Sequence, residues 1–337
     1  MSTRNPRIKT PITVVAAGLL ILILVYVVRQ TVSSRNNAPQ LTNSSILKDR
    51  PIPFRQIQFL NESDGWGITN HALWTTNDGG GSWRQVRISP VAMSILGERE
   101  ADLAQMQFID RLVGWLLEDN YLLSTSDGGA TWHRQDFDRA ILRAFRFTDS
   151  KNGWAVGALR QDGGENQAVI FNTIDGGGTW SRIFANDDDG SWGITNIWPV
   201  TTENIWAIGD LTVHSSDGGK TWESRVLPEG SYGTPSLIRF ADSSIGWVLG
   251  NQGENFLITT DGGTKWEVRP CPPGGFTDLI FKDALEGWGV AGGLYHTVDG
   301  GDHWTRIGAD KIRAIQYLRE QGKLFAVSST VVVMSTK

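Results

Sequence analysis

The sequence predicts an all-β fold: a seven-bladed β-propeller with Asp-box turns, preceded by one N-terminal transmembrane helix. Three observations carry this reading. The phrase Thr/Ser-x-Asp-x-Gly-x-x-Trp occurs six times, ending at Trp83, Trp132, Trp180, Trp222, Trp266 and Trp304. A second phrase, an aromatic residue followed seven positions later by Trp, alternates with it. Finally, Ile12–Val28 is an uncharged, almost wholly apolar run near the start of the chain.

The boxes recur every 38 to 49 residues, the period of a repeat array built from small β units. Their aspartates are Asp78, Asp127, Asp175, Asp217, Asp261 and Asp299. Asp, Gly and a hydroxyl before Trp make a tight turn. The carboxylate accepts backbone N–H groups, glycine permits positive φ, and the indole folds back onto the sheet. An active site needs one or two special carboxylates rather than one per repeat, so the boxes are read as structural. Lys265 and His303 replace the hydroxyl in two of them, where looser turns are expected.

The second phrase orders the rest of each unit. Its pairs are Phe59/Trp66, Phe108/Trp115, Phe147/Trp154, Phe240/Trp247 and Phe281/Trp288. In the fourth unit the same spacing from Trp206 reaches Pro199, and in a seventh, boxless unit it links Tyr317 to Leu324. Two residues before the aromatic slot stands Ile57, Met106, Phe145, Ile197, Ile238, Leu279 or Ile315, the period-two pattern of a strand. Asn61, Asp110, Asp149, Asp242 and Asp283 follow the slot as turn formers. Gly-Trp opens a second strand, a third leads into the box, and the box Trp starts a fourth. Four short strands per repeat of this length describe a propeller blade. The seventh unit supplies three strands, and a fourth from Asn43–Lys48 would close the ring and remove its open edge. A six-bladed ring with a C-terminal appendage is the alternative.

The domain organisation follows: a basic cytoplasmic tail at 1–11, a transmembrane signal anchor at 12–28, a flexible tether at 29–45 and the propeller at 46–337. The apolar run matches a short membrane span, and the basic residues ahead of it favour a cytoplasmic N-terminus with the propeller outside. A cleaved signal peptide is the alternative. Cys271 is the one cysteine, which leaves no intrachain disulfide, cysteine metal cluster or lipid attachment near the anchor. Residues 1–50 carry a charge of +6 and the remainder −11, which argues against nucleic-acid binding. No metal or cofactor is expected, and the propeller is expected to be monomeric.

Function is sought where the repeats differ. The 24 residues between Trp83 and Phe108 are long for a blade connection, with a short helix expected around Val91–Ala104, and Gln161–Gln167 is an insertion. The residue just before the aromatic slot is polar in five units: Gln58, Gln107, Arg146, Arg239 and Gln316. If the first strand is innermost, these five form a partner-binding cluster at the central channel. Arg146 and Arg239 would then face an acidic peptide, carboxylate or phosphate. Replacing both arginines by Ala is expected to weaken capture with thermal stability nearly unchanged. The alternative is local pairing between blades.

The phrase Phe147 to Trp154, with Thr259 to Trp266, resembles the photosystem II stability and assembly factor family over about residues 50–337. The resemblance implies a seven-bladed propeller on the lumenal side of thylakoids. It also implies a non-enzymatic chaperone role, binding a newly made membrane-protein subunit or a peptide segment of it. Cyanobacterial members commonly carry a lipid-anchoring cysteine, where this chain has an apolar run. Two other readings stand beside this one. One is an extracytoplasmic peptide- or glycan-binding scaffold in a non-phototroph. The other is a sialidase-like glycoside hydrolase, of whose Phe/Tyr-Arg-Ile-Pro phrase Phe54-Arg55-Gln56-Ile57 matches only the first two residues.

Overall fold

A computed structural model describes residues 52–86, 88, 103–118, 121–135, 137, 139–160, 166–186, 193–230, 232–251, 253–308, 312–327 and 331–335. The apolar run, the tether, Asn43–Lys48 and most of both insertions lie outside these residues. The described chain is all β, a propeller of six complete four-stranded antiparallel sheets and a seventh sheet of three strands. Complete blades therefore number six among the described residues, against the seven expected. The three-stranded sheet comprises Ala314–Leu318, Lys323–Val327 and Val331–Ser335, where the sequence places strands around Ile315, at Leu324–Val327 and at Thr330–Met334. No described helix is long and apolar enough to cross a membrane. Leu103 and Ala104, placed at the end of a short helix by the sequence, instead begin the strand Leu103–Phe108.

The first strands of the seven sheets are Gln56–Phe59, Leu103–Phe108, Ala140–Phe147, Ile194–Pro199, Pro235–Phe240, Asp278–Phe281 and Ala314–Leu318. Together they line one central cavity. The last of them returns to the first: Gln316 Nε2 donates to the Phe59 carbonyl at 2.9 Å, and the Phe325 and Phe59 rings stack at 4.0 Å. Lys323 and Glu62 form an ion pair across the same seam.

The sequence phrases explain how the blades cohere. The aromatic-slot ring lies flat on the glycine that opens the next strand. A Cβ on Gly114 would stand 2.3 Å from Phe108, and one on Gly153 2.4 Å from Phe147. This is why Gly-Trp recurs. The Trp of that pair then reaches the next blade. Trp115 stacks on Phe147 at 3.6 Å, Trp66 on Phe108 at 4.3 Å, and Trp288 on Tyr317 at 5.3 Å. The box Trp packs edge-on against the slot ring of its own blade, as Trp132 does on Phe108 and Trp180 on Phe147. In five of the blades one indole thus packs on its own blade and another on its neighbour, and several of these rings are among the largest fully buried side chains.

The boxes have one geometry. Asp127 Oδ1 accepts the Thr131 amide at 2.9 Å and the Thr125 hydroxyl at 2.8 Å, while Oδ2 accepts the Thr131 hydroxyl at 2.6 Å. The second glycine amide, Gly129 N–H, donates to Thr125 Oγ1 at 2.9 Å. The first glycine docks the box on the opposite turn, with Gly128 N–H donating to the Leu112 carbonyl at 2.8 Å. That turn is itself held by Asp110, whose Oδ1 accepts the amides of Leu112 and Val113. In the fourth blade Thr201 Oγ1 takes over this job for Glu203 and Asn204. The two variant boxes keep the same backbone frame: Lys265 N–H and His303 N–H still donate to their aspartates at 2.8 and 3.0 Å. The expected loosening is absent there. His303 Nδ1 replaces the hydroxyl contact to Asp299 at 2.8 Å, whereas Lys265 makes no side-chain bond to Asp261 among those observed.

Candidate functional site

The central cavity has a volume of about 650 Å³. Its wall is strongly cationic. Arg55, Arg143, Arg146, Arg239, Arg313 and Arg319 line it, and Asp278 is the one acid among the described lining residues.

Of the five residues singled out by sequence, the three glutamines are engaged between blades. Each amide grips the backbone of the adjacent first strand with both ends. Gln58 Nε2 donates to the Phe108 carbonyl at 2.7 Å while Oε1 accepts the Phe108 amide at 2.8 Å. Gln107 does the same to Phe147 at 2.7 and 2.9 Å, and Gln316 to Phe59 at 2.9 and 2.6 Å. One turn of the pleat away, Gln56 bridges to Met106 and Gln105 to Phe145 in the same way. These amides satisfy first-strand N–H and C=O groups that no strand of a neighbouring sheet pairs with.

The two arginines are brought to the same cavity but are held differently. Arg239 Nη1 donates to Asp278 Oδ1 at 2.6 Å and to the Leu279 carbonyl at 3.2 Å. Asp278 also accepts the amides of Leu279 and Ile315 at 3.0 Å each, so it ties the fifth, sixth and seventh sheets together. Arg239 is therefore structural as well as cationic. Its loss would strand a buried carboxylate, at a cost of about 3–5 kcal/mol. This corrects the expectation that both arginines can be removed without loss of stability. Arg146 has no observed acidic partner among the described residues. Its guanidinium lies over the Trp198 ring at 4.1 Å. Burial, and then the nearby Arg239, pull its pKa down to about 9, so it remains charged at neutral pH. An unneutralised guanidinium in a cavity attracts anions.

Four further lining arginines escaped the sequence reading: Arg55, Arg143, Arg313 and Arg319. Arg55, Arg143 and Arg313 stand four residues before the aromatic slot, where strict alternation would point them into the core. The strand does not alternate strictly. Val156 pairs with Ala144 and Gly157 with Leu142, leaving Arg143 unpaired in a β-bulge. Ala104, Thr195 and Ser236 are skipped in the same way in the second, fourth and fifth blades. In these four blades the extra residue turns this position toward the cavity, and the equivalent residue lines it in all seven units, as Arg55, Ala104, Arg143, Thr195, Ser236, Thr277 and Arg313. A signal was present. Buried apolar residues recur five before the slot, at Phe54, Leu103, Leu142, Ile194, Phe276 and Ile312, three rather than two positions ahead of the next core residue.

Comparison with known proteins fits this architecture. The family described as photosynthesis system II assembly factor YCF48 matches residues 136–239 and 234–316, together just over half of the chain. The photosystem II assembly lipoprotein Ycf48 of Synechocystis sp. is 34% identical over 86 residues, so the match spans 25% of this chain and 25% of that relative. Among solved structures, YCF48 bound to D1 peptide is similar with a TM-score of 0.62 and 19% identity, covering 89% of this chain and 99% of the other. YCF48 from Cyanidioschyzon merolae gives a TM-score of 0.64 at 18% identity, covering 86% and 98%. An ancestral GH74 enzyme gives 0.63 at 11% identity over 89% of this chain and 46% of its own. At these identities the structural likenesses speak for the propeller fold alone. The family match is what identifies the chain: it belongs to the photosystem II assembly factor YCF48 family.

Proposed function

We propose that this protein is a non-enzymatic binding protein that assists the assembly or stability of a membrane-protein complex, capturing an acidic peptide segment of a subunit in its central cavity. The observation that carries this is Arg146, a charged, stacked guanidinium without an observed acidic partner in a cavity lined by five other arginines. Membership of the assembly-factor family supports the role, and a structurally similar YCF48 is described as bound to D1 peptide, which supports a peptide as ligand. Residues 12–28 are proposed to anchor the chain with its N-terminus in the cytoplasm and the propeller in the periplasm or thylakoid lumen, and Asn43–Lys48 to complete a seventh blade.

The glycosidase alternative draws support only from shared fold. Glycoside hydrolysis by the usual route needs two carboxylates flanking the bond. Asp278, the acid in the described lining, is spent on Arg239 and two backbone amides. This favours binding over hydrolysis.

The test is titration of a labelled Asp/Glu-rich peptide with the wild-type chain and with Arg146→Ala. Wild type is expected to bind with strong salt dependence, and the variant about tenfold or more weaker at an unchanged melting temperature. Equal affinity in the two proteins would sink the reading. Arg239→Ala is a poor probe, because it also unpairs Asp278.

A further inference from the structure

The fourth blade breaks the aromatic rule, and the break falls in the cavity. In five blades the aromatic-slot ring covers the glycine that opens the next strand, and in the seventh the slot still holds an aromatic, Tyr317. In the fourth the slot is Pro199 and the ring stands one residue earlier, at Trp198. Side chains alternate along a strand, so a displacement by one position moves an aromatic ring from the core side to the cavity wall. Trp198 lines the cavity and supports the Arg146 guanidinium from below at 4.1 Å. Arg146 needs such support. The like charge of Arg239 acts on it, and no carboxylate among the described residues is observed to pair with it.

A guanidinium lying on an indole keeps its five N–H donors in one plane, directed outward from the stack. Its flexible side chain is then ordered before any ligand arrives. Preorganisation of this kind raises affinity by removing an ordering cost from the binding step. Arg239 is ordered by a different device, its bond to Asp278, which also neutralises part of its charge.

We propose that Trp198 is a positioning residue for anion capture, holding Arg146 in the cavity against the repulsion of Arg239 so that a ligand carboxylate meets a fixed guanidinium. The proposal rests on the reading of the cavity as an acidic-peptide site. It assigns a role to the one first strand that departs from the repeat.

The experiment compares full-length wild type, Trp198→Leu, Trp198→Phe, Arg146→Ala and the Trp198→Leu/Arg146→Ala double variant in titrations of a labelled Asp/Glu-rich peptide. Leucine keeps apolar bulk and removes the π face, and phenylalanine restores a face. Trp198→Leu is expected to bind about three- to tenfold more weakly, and Trp198→Phe within about twofold of wild type. In the Arg146→Ala background Trp198→Leu is expected to add nothing, the signature of a residue acting through another. A loss for Arg146→Ala with none for Trp198→Leu overturns the positioning role and leaves the peptide site standing. So does a Trp198→Leu loss that persists in full without Arg146. If neither variant changes binding, the peptide site itself is wrong. Should the leucine variant fail to fold, Trp198→Met serves the same comparison.

Discussion

The rim and the hub of this propeller are built from the same repeat and are under opposite constraints. At the rim, six boxes hold one hydrogen-bond pattern to within a few tenths of an ångström, even where Lys265 or His303 stands in the hydroxyl slot. At the hub, equivalent positions hold Arg, Gln, Trp and Ile in turn. A turn that must be made six times tolerates little variation. A wall that faces a ligand need only keep its backbone, and here the backbone is kept by glutamine amides reaching from blade to blade. Repetition marks what holds the molecule together, and its breakdown marks where binding is to be sought.

Four experiments would break or sharpen that contrast. The largest effect is expected from the shared aromatic ladder. Trp115→Ala removes a fully buried ring stacked on Phe147. It should cost about 3–5 kcal/mol in denaturant unfolding. A loss under about 1 kcal/mol would mean that the blades cohere by other means. Next comes Gln107→Ala, which leaves the Phe147 N–H and C=O without the partner they have now. A loss of about 1–3 kcal/mol is expected in the same assay. If Gln107→Ala instead weakened peptide binding at unchanged stability, the division between structural amides and the arginines proposed to bind would fail.

The third experiment is acid titration. Hydrogen bonds hold the box carboxylates down, with Asp127, Asp175 and Asp217 at about 2. For Asp127 the Thr131 hydroxyl contributes most; for Asp175 and Asp217 it is the amide of Thr179 or Thr221. An unfolded Asp titrates near ~3.9. A lowered folded pKa gives stabilisation that is complete above the unfolded value and lost as pH falls through the folded one. Tryptophan fluorescence should therefore report destabilisation between about pH 4 and pH 2, with a shallower pH dependence when all three are changed to Asn. An unchanged profile would show that the boxes are not where acid acts. The smallest effect is a gain. Lys265→Thr restores the side-chain bond to Asp261 that four other boxes make to their aspartates. It should raise the melting temperature slightly, and an unchanged or lowered midpoint would show that this side-chain bond adds nothing to the box.

Most of the fold could be read from the chain because its signals are local. The Asp110 turn, the Gly114–Trp115 pair and the Thr125–Trp132 box each act over a few residues, and their order repeats. The seventh sheet was legible without a box from Ile315 and Leu324–Val327 alone. The cavity was half legible. Arg146 and Arg239 lie where period two puts them, while Arg143 does not, because a bulge adds one residue and inverts the parity behind it; Arg55 and Arg313 stand just ahead of their first strands, where strand alternation does not reach.

The sequence by itself determined the turns, the strands and their number per repeat, since each depends on neighbours in the chain. Only the tertiary structure decided which polar groups are spent and which are free. Gln58 and Arg146 occupy the same slot in the repeat. One is consumed by the Phe108 backbone of the next blade; the other, lying on Trp198, is left charged in the cavity. That difference depends on what a blade 40 or 50 residues away presents, and no local pattern records it.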